Sequence, residues 1–145
     1  MTAAAPRSLA AAREGDTFAF TKAAVTTRQL VMYAGASGDY NRIHYDHHFA
    51  VEAGLGGVIA HGMLTMGFLA QAVADWAGPG AMVRDVLSRF VSPVKPGDVV
   101  AFTGTVTAVD AAAGTCALDV EGAVAGRPVI RGAAVVALPP SGSHA

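Results

Sequence analysis

The sequence predicts an α+β domain in which an antiparallel sheet wraps around one apolar helix, and two observations carry this prediction. The first is the run of residues 63–76, which leaves almost no polar face when it is placed on a helix. The second is the part of the chain that follows, where apolar and polar residues alternate over several runs, as they do in strands with one buried face. A helix without a polar face must be covered, and a sheet with one apolar face can cover it.

Two shorter helices are predicted before the apolar helix. Thr26 and a glutamine three residues later form a capping box, and the helix that it opens ends near Gly35 or Gly38. Asp46 can cap a second helix, which stops at Gly54. The residues between these two helices form a loop.

Four extended runs follow the apolar helix. Residues 99–109 and 115–124 alternate in polarity, and the turn at residues 110–114 joins them as a hairpin. Residues 128–138 form another strand, and residues 84–91 form one that two prolines and a glycine end. We therefore predict that the second half of the chain is an antiparallel meander.

Composition limits the classes of function. A chain of 145 residues with 52% hydrophobic residues can bury one core, so we predict a single domain over residues 1–145, with residues 1–13 and 140–145 as frayed tails. Only 14% of residues are charged, which favours an oligomer interface as the place for the excess apolar surface. The net charge of −1 and the scattered basic residues argue against binding to nucleic acid or to an acidic membrane.

The N-terminal residues lack the pattern of a secretory signal, and Cys116 is the only cysteine. One cysteine excludes an intramolecular disulfide and suits a reducing cytoplasm, where we expect the protein. We interpret Cys116 as a small buried apolar residue.

The loop between the first two helices carries a chemically suggestive motif. It contains, in order, Gly38, Asp39, Asn41 and His44, and seventeen residues after His44 comes the sequence His61-Gly62-Met63. This arrangement resembles the MaoC-like hydratase and dehydratase family, and the similarity extends by motif from about residue 26 to residue 98. The family implies the hotdog fold for the predicted α+β domain, and hotdog proteins commonly dimerise with their sheets joined edge to edge.

The resemblance also implies roles for individual residues. Asp39 and His44 would form the catalytic pair, and Asn41 would hold the loop. The Gly62 backbone N–H would donate a hydrogen bond to a thioester oxygen. His61 is expected to orient the start of the apolar helix by hydrogen bonding. The implied activity is the interconversion of trans-2-enoyl and (R)-3-hydroxyacyl thioesters.

The chemistry of hydration calls for these residue types independently of the family resemblance. Addition of water to an enoyl thioester needs a group that takes a proton from water and returns a proton to the α-carbon, and a carboxylate beside an imidazole can do both. Negative charge develops on the thioester oxygen during this reaction. A backbone N–H at the N-terminus of a helix is a fixed donor for that charge, and a glycine such as Gly62 permits close approach.

Structural explanations remain for the same residues. Asp39 after Gly38 is typical of an Asx turn, and taken alone that reading would be favoured. The joint occurrence of Asp39, Asn41, His44 and the His-Gly-Met step is what favours chemistry. His47 and His48 are adjacent and would point about 100° apart on a helix, so we expect solvated histidines and no metal site there.

Arg42 stands where the family usually has proline. A guanidinium turned toward Asp39 would lower the pKa of that carboxyl, whereas one turned outward could contact phosphates of coenzyme A or of a pantetheine carrier. We favour the outward orientation. Arg42→Ala should then raise KM more than it lowers kcat.

Three functions compete at this point. A hydratase or dehydratase is favoured, and it would need no metal, nucleotide or flavin, since coenzyme A or pantetheine is only the substrate carrier. A hotdog thioesterase is less favoured because its carboxylate normally lies on or near the central helix, where only Asp75 is present, at the far end. A non-catalytic partner subunit of a heterodimer has no need of both Asp39 and His44, although Arg42 keeps that reading open.

Overall fold

In a computed structural model that describes residues 7–140, one sheet curves around one helix. The helices are α1 (Thr27–Ser37), α2 (His47–Glu52) and α3 (Gly62–Ala77). The strands are β1 (Thr17–Thr21), β2 (Met82–Phe90), β3 (Ala101–Asp110), β4 (Thr115–Val124) and β5 (Arg127–Ala137). Short 3-10 turns occupy Leu9–Ala11 and Arg42–His44.

The central helix α3 is the one predicted from its lack of a polar face. Eight of its residues are buried, and they pack against the inward-facing side chains of the sheet. The largest side chains that are fully buried in the described part include Leu69 and Val73 from α3 and Phe102, Leu118 and Ile130 from the sheet. No helix among residues 7–140 is long and apolar enough to cross a membrane.

The sheet is antiparallel throughout, with the strand order β1-β3-β4-β5-β2. The predicted meander is therefore correct for β3, β4 and β5 but wrong for β2, which pairs with β5 at the far edge. Residues 91–100 carry the chain across to β3, and two apolar side chains anchor this crossing because Val94 and Val100 are 3% and 0% exposed. The crossing segment also holds the residues before α3, since Ala60 N–H donates to the Val94 carbonyl at 2.7 Å.

The edge strand β1 was not predicted. It has five residues, and only Phe18 and Phe20 face inward, so the local pattern is weak. Its stability comes from partners that are distant in sequence. The ring of Phe18 stacks on Trp76 with centroids 5.6 Å apart, and it lies against Gly104 of β3, where a Cβ would collide with it.

The prediction of a frayed N-terminal tail up to residue 13 is wrong for residues 7–13. Leu9 N–H donates to the Pro139 carbonyl at 3.0 Å, and Ala12 is 2% exposed in the core. Burial of small apolar side chains at the edge of the core holds this stretch in place. Residues 1–6 and 141–145 of the predicted tails lie outside the described residues.

Candidate active site

The end of α1 determines where the motif loop begins. The Thr26 hydroxyl accepts from Gln29 N–H at 3.1 Å, as the capping box predicts, and Gly38 ends the helix with φ of 74°. Ser37 then links the helix to the loop, because its hydroxyl donates to the Tyr33 carbonyl at 2.7 Å and accepts from Asp39 N–H at 3.2 Å. The backbone at Asp39 is thus fixed directly after the helix.

Two side chains organise the loop from within. Asp39 Oδ1 accepts from Asn41 N–H at 3.1 Å, and Asn41 Oδ1 accepts from Ile43 N–H at 3.3 Å. Asn41 is therefore the N-cap of the 3-10 turn Arg42–His44. The asparagine holds the turn that carries the histidine, and the Asx turn considered for Asp39 is present as well.

Asp39 and His44 face each other across a short gap. His44 Nε2 lies 3.8 Å from Asp39 Oδ2, which is too long for a direct hydrogen bond but places both atoms within reach of one water molecule. His44 is only 7% exposed, whereas the Asp39 side chain is 51% exposed. The pair combines a buried imidazole with a carboxylate open to solvent.

The hydrogen bond on the other side of the His44 ring determines its tautomer. Nδ1 lies 2.8 Å from the Ile59 carbonyl oxygen. Because a carbonyl only accepts, Nδ1 carries the hydrogen, and in the neutral ring Nε2 presents a lone pair toward Asp39. Sequence reasoning missed Ile59, because a backbone contact of this kind leaves no trace in side-chain identity.

His61 lies behind the pair. It is 1% exposed, its ring stacks on His44 with centroids 3.7 Å apart, and its Nε2 lies 3.1 Å from the Asp39 carbonyl oxygen. Burial lowers its pKa, which favours the neutral ring with Nε2–H donating to Asp39. His61 was expected to orient the start of α3 by hydrogen bonding, but its side chain makes no capping bond to that helix and instead bonds to the Asp39 carbonyl of the loop.

Gly62 is the first residue of α3, and its N–H donates to no other described residue. An N–H at this position has no partner within its own helix. A Cβ at Gly62 would lie 2.9–3.1 Å from three ring atoms of Phe90. The glycine therefore makes room for the Phe90 ring, a contact that was not predicted although Phe90 falls within the predicted strand of residues 84–91.

A cavity of about 330 Å³ opens beside these groups. Its walls are mainly apolar, and its polar lining comes from His44, Thr65 and Ser92, with Gly62 and Phe90 at one side. A larger cavity of about 640 Å³ lies on the outer face of the sheet, lined by Thr105, Asp119 and Arg131 among others. We take the smaller cavity as the candidate substrate site, because it contains His44 and Gly62.

Asp39, His44 and His61 are the described residues that come closest to a metal site, each offering one donor atom within 4.8 Å of the others. Zinc would need ring nitrogens whose lone pairs converge on one point at about 2.0–2.1 Å. The two imidazoles instead stack with 23° between their planes, so their in-plane lone pairs run side by side. This donor set does not fit a metal ion unless one ring turns.

The adjacent histidines of α2 behave as separate groups. His48 Nε2 lies 3.1 Å from Glu52 Oε1, and its side chain is 87% exposed. His47 instead lies against Gly57. The α2 helix itself starts as predicted, because Asp46 Oδ1 accepts from Phe49 N–H at 3.0 Å.

Arg42 does not contact Asp39. Its Nη2 and Nε donate to Asp46 Oδ2 at 2.7 and 3.2 Å, and its guanidinium lies over the Phe49 ring, 4.4 Å from the centroid. Hydrogen bonding to Asp46 raises the pKa of Arg42. The side chain remains 57% exposed and turns away from Asp39, with its guanidinium paired to Asp46.

Comparison with known proteins shows which family the chain belongs to. The model of the MaoC like domain matches residues 10–124. An (R)-specific enoyl-CoA hydratase from Rhodospirillum rubrum is 32% identical over 90% of each chain. The beta subunit of a 3-oxo-4,17-pregnadiene-20-carboxyl-CoA hydratase from Mycobacterium tuberculosis is 33% identical over 56% of this chain and 63% of its own length.

A solved structure agrees with this result. The R-hydratase PhaJ1 from Pseudomonas aeruginosa in the unliganded form superposes with a TM-score of 0.85, at 28% identity, over 92% of this chain and 86% of that one. The predicted hotdog fold is confirmed by such neighbours. With the family model matching most of its length, the chain belongs to the MaoC-like family of hydratases and dehydratases and is a hydro-lyase.

Proposed function

We propose that this protein interconverts trans-2-enoyl and (R)-3-hydroxyacyl thioesters, with Asp39 and His44 as the acid/base pair. The observation that carries the proposal is the 3.8 Å gap between Asp39 Oδ2 and His44 Nε2, beside the cavity that Gly62 and Phe90 border. The (R) configuration rests on the names of the relatives, which specify it for those proteins.

Hydration would use the groups as follows. A water molecule held between Asp39 and His44 gives a proton to the pair while its oxygen bonds to the β-carbon of the enoyl thioester. The electron pair of the double bond moves toward the thioester oxygen, where the Gly62 N–H stabilises the developing charge. The α-carbon then takes a proton from the pair, so that the pair returns to its starting state. Dehydration is the same sequence in reverse.

This mechanism uses no group beyond the protein's own residues, water and the acyl thioester, whose carrier is either coenzyme A or the pantetheine arm of a carrier protein. A thioesterase receives no support from the position of Asp75, which is exposed near the far end of α3 and does not line the cavity. Release of free coenzyme A is the product that would identify a thioesterase.

We also propose that the protein works as a dimer, with an identical or a related hotdog chain. Phe90 and Val91, which line the cavity, are 49% and 46% exposed, and Met63, next to Gly62 in sequence, is 58% exposed. The β2 strand is an edge strand without a second neighbour in the described residues. A partner that covers this edge would bury apolar surface and close the site from solvent. Analytical ultracentrifugation of the purified chain should give a dimer if the partner is identical. A monomer that becomes active only with a related chain indicates a heterodimer.

The catalytic proposal is tested by the loss of the conjugated enoyl thioester when purified protein is mixed with crotonyl-coenzyme A and longer homologues. Asp39→Asn and His44→Ala should each lower the rate by at least ~100-fold, the effect of removing a positioned acid or base. Asp75→Asn and His48→Ala are matched controls on exposed residues, and both should keep the wild-type rate. A rate within tenfold of wild type in either site variant would remove that residue from the mechanism.

A further inference from the structure

Most ion pairs of the described residues neutralise an arginine. Arg7 pairs with Asp16 at 3.4 Å, Arg42 with Asp46 at 2.7 Å and Arg131 with Glu121 at 2.6 Å. Arg127 differs, because its hydrogen bonds go to uncharged acceptors. Nη1 donates to Ser92 Oγ at 2.6 Å, and Nη1 and Nη2 both donate to the Pro93 carbonyl at 3.4 Å.

These contacts place Arg127 at the rim of the candidate substrate cavity. Ser92 and Pro93 both line that cavity, together with His44 and Gly62. The guanidinium is therefore attached directly to a wall of the cavity, on a side chain that is itself exposed to solvent. An anionic group that protrudes from the cavity would meet this cation.

The position of the guanidinium is fixed by its surroundings. The Ser92 hydroxyl donates to the Pro128 carbonyl at 2.5 Å and is thus oriented to accept from Arg127. A tight turn between β4 and β5 brings Arg127 there, with Ala125 and Gly126 at φ of 48° and 80°. A cation that is already held loses little side-chain freedom when it binds an anion.

Donors remain available on this guanidinium. Nε makes no hydrogen bond to any described residue, and a guanidinium has five N–H donors in a planar fork that matches two phosphate oxygens. No carboxylate of residues 7–140 forms an ion pair with Arg127, so its charge is not offset in the way that Asp46 offsets Arg42. Lys95 follows Val94 of the cavity wall, but its Nζ lies beside Gly56, 3.5 Å from where a Cβ of that glycine would be, and within residues 7–140 it forms no hydrogen bond to a residue that lines the cavity.

We propose that Arg127 is a specificity-determining residue that binds a phosphate of the thioester carrier where the carrier leaves the cavity. The inference rests on the proposed function, because it assumes that the acyl thioester occupies this cavity. Coenzyme A and the prosthetic group of a carrier protein share the phosphate next to pantetheine, and coenzyme A adds further phosphates. Arg127 thus takes the phosphate contact that the sequence suggested for Arg42.

Three crotonyl thioesters separate the sources of phosphate: those of pantetheine, 4′-phosphopantetheine and coenzyme A. For Arg127→Gln we expect KM with crotonyl-coenzyme A to rise about tenfold and kcat to stay within about twofold, since a hydrogen bond to a charged group is lost. KM with crotonyl-pantetheine, which has no phosphate, should not change. If KM rises for both the phosphopantetheine and the coenzyme A thioester, Arg127 binds the phosphate that the two carriers share. If KM rises for the coenzyme A thioester alone, Arg127 binds one of the further phosphates of coenzyme A.

Arg131→Gln is the matched control, because it removes an exposed arginine from the same strand on the side of the sheet away from the cavity. It should leave all three KM values unchanged. An equal rise of KM for all three thioesters in Arg127→Gln would indicate damage to the cavity wall and would overturn the proposal, as would no rise at all. Arg127→Lys keeps the charge and should recover part of the loss.

Binding without turnover separates this proposal from the catalytic one. Titration calorimetry of free coenzyme A should give a Kd about tenfold weaker for Arg127→Gln than for wild type, even if no thioester is hydrated. If wild type hydrates none of the substrates, the proposed function fails while this measurement still decides the phosphate contact. Equal binding by wild type and variant, or none by wild type, refutes the role of Arg127.

Discussion

Replacement of Gly62 by alanine tests how the start of α3 shapes the site. The new methyl group would lie 2.9, 3.0 and 3.1 Å from Cε2, Cζ and Cδ2 of Phe90, so the ring must move by a few tenths of an ångström. Overpacking of this kind costs roughly 1–3 kcal/mol, and the low end applies because the atoms that must shift belong to the outer part of the Phe90 ring and not to the backbone. Alanine gains up to about 1 kcal/mol of helix propensity over glycine.

The two effects nearly cancel in stability but not in activity. We expect the free energy of unfolding of Gly62→Ala to stay within about 1 kcal/mol of wild type. The rate of hydration should fall by up to about tenfold, because the Phe90 ring lines the cavity and moves by a few tenths of an ångström, whereas a full 1 Å misplacement can cost about 100-fold. Chemical denaturation and the crotonyl-coenzyme A assay measure the two quantities on the same preparation.

Two further variants make the reasoning refutable. Gly67→Ala is the control on the same helix, where a Cβ would meet nothing within 4 Å, and it should be slightly stabilised with full activity. In a Phe90→Ala background the penalty of Gly62→Ala on activity should largely disappear, since no ring is left to displace. A penalty of equal size in both backgrounds would show that the contact with Phe90 is not the cause.

Two predictions concern the stability of the loop and of α2. Asp46→Ala should lower the midpoint of urea denaturation, whereas Asp46→Asn should lower it less because asparagine is also a good N-cap. The Phe49 N–H, and then Arg42, lower the pKa of Asp46, so this contribution is present above the carboxyl's ordinary pKa and is lost as the pH falls through the lowered value. Burial lowers the pKa of His61 in the folded chain. As the pH drops below about 6.5, the ordinary pKa of histidine, the unfolded chain therefore binds a proton at His61 before the folded chain does. The free energy of unfolding should fall in that range. Thermal melts from pH 8 to pH 5 should show a smaller decrease for His61→Gln than for wild type, and parallel decreases would contradict a buried neutral His61.

Local signals were sufficient for most helices and strands. The α3 helix extends one residue beyond the predicted run at each end, β4 has the predicted bounds, and the caps at Thr26 and Asp46 form as expected. Each of these depends on periodicity or on hydrogen bonds within a few residues. The strand order was not available from such signals, because the pairing of β2 with β5 and of β1 with β3 joins segments far apart in sequence.

The site was predictable in its residue types but not in its contacts. The motif brings Asp39 and His44 onto one loop, and a loop of this length can turn their side chains toward each other. Nothing in the sequence shows that the Ile59 carbonyl takes the His44 Nδ1–H, or that Asp46 takes the guanidinium of Arg42. Such contacts depend on how two loops pack, which a pattern of residue types does not determine.

The segment just before α3 explains why the two parts of the motif occur together. The Ile59 carbonyl orients His44, and the His61 ring binds the Asp39 carbonyl, so residues 59 and 61 each hold one member of the pair. Ala60, between them, is bonded to the Val94 carbonyl of the crossing segment, which fixes this support from the other side. A change at His61 should therefore act on catalysis through the position of Asp39, and the Gly62 N–H moves with the same short segment. The distance from the proposed acid/base pair to the Gly62 N–H is thus set by the contacts of three consecutive residues, 59–61, at the end of the segment between α2 and α3.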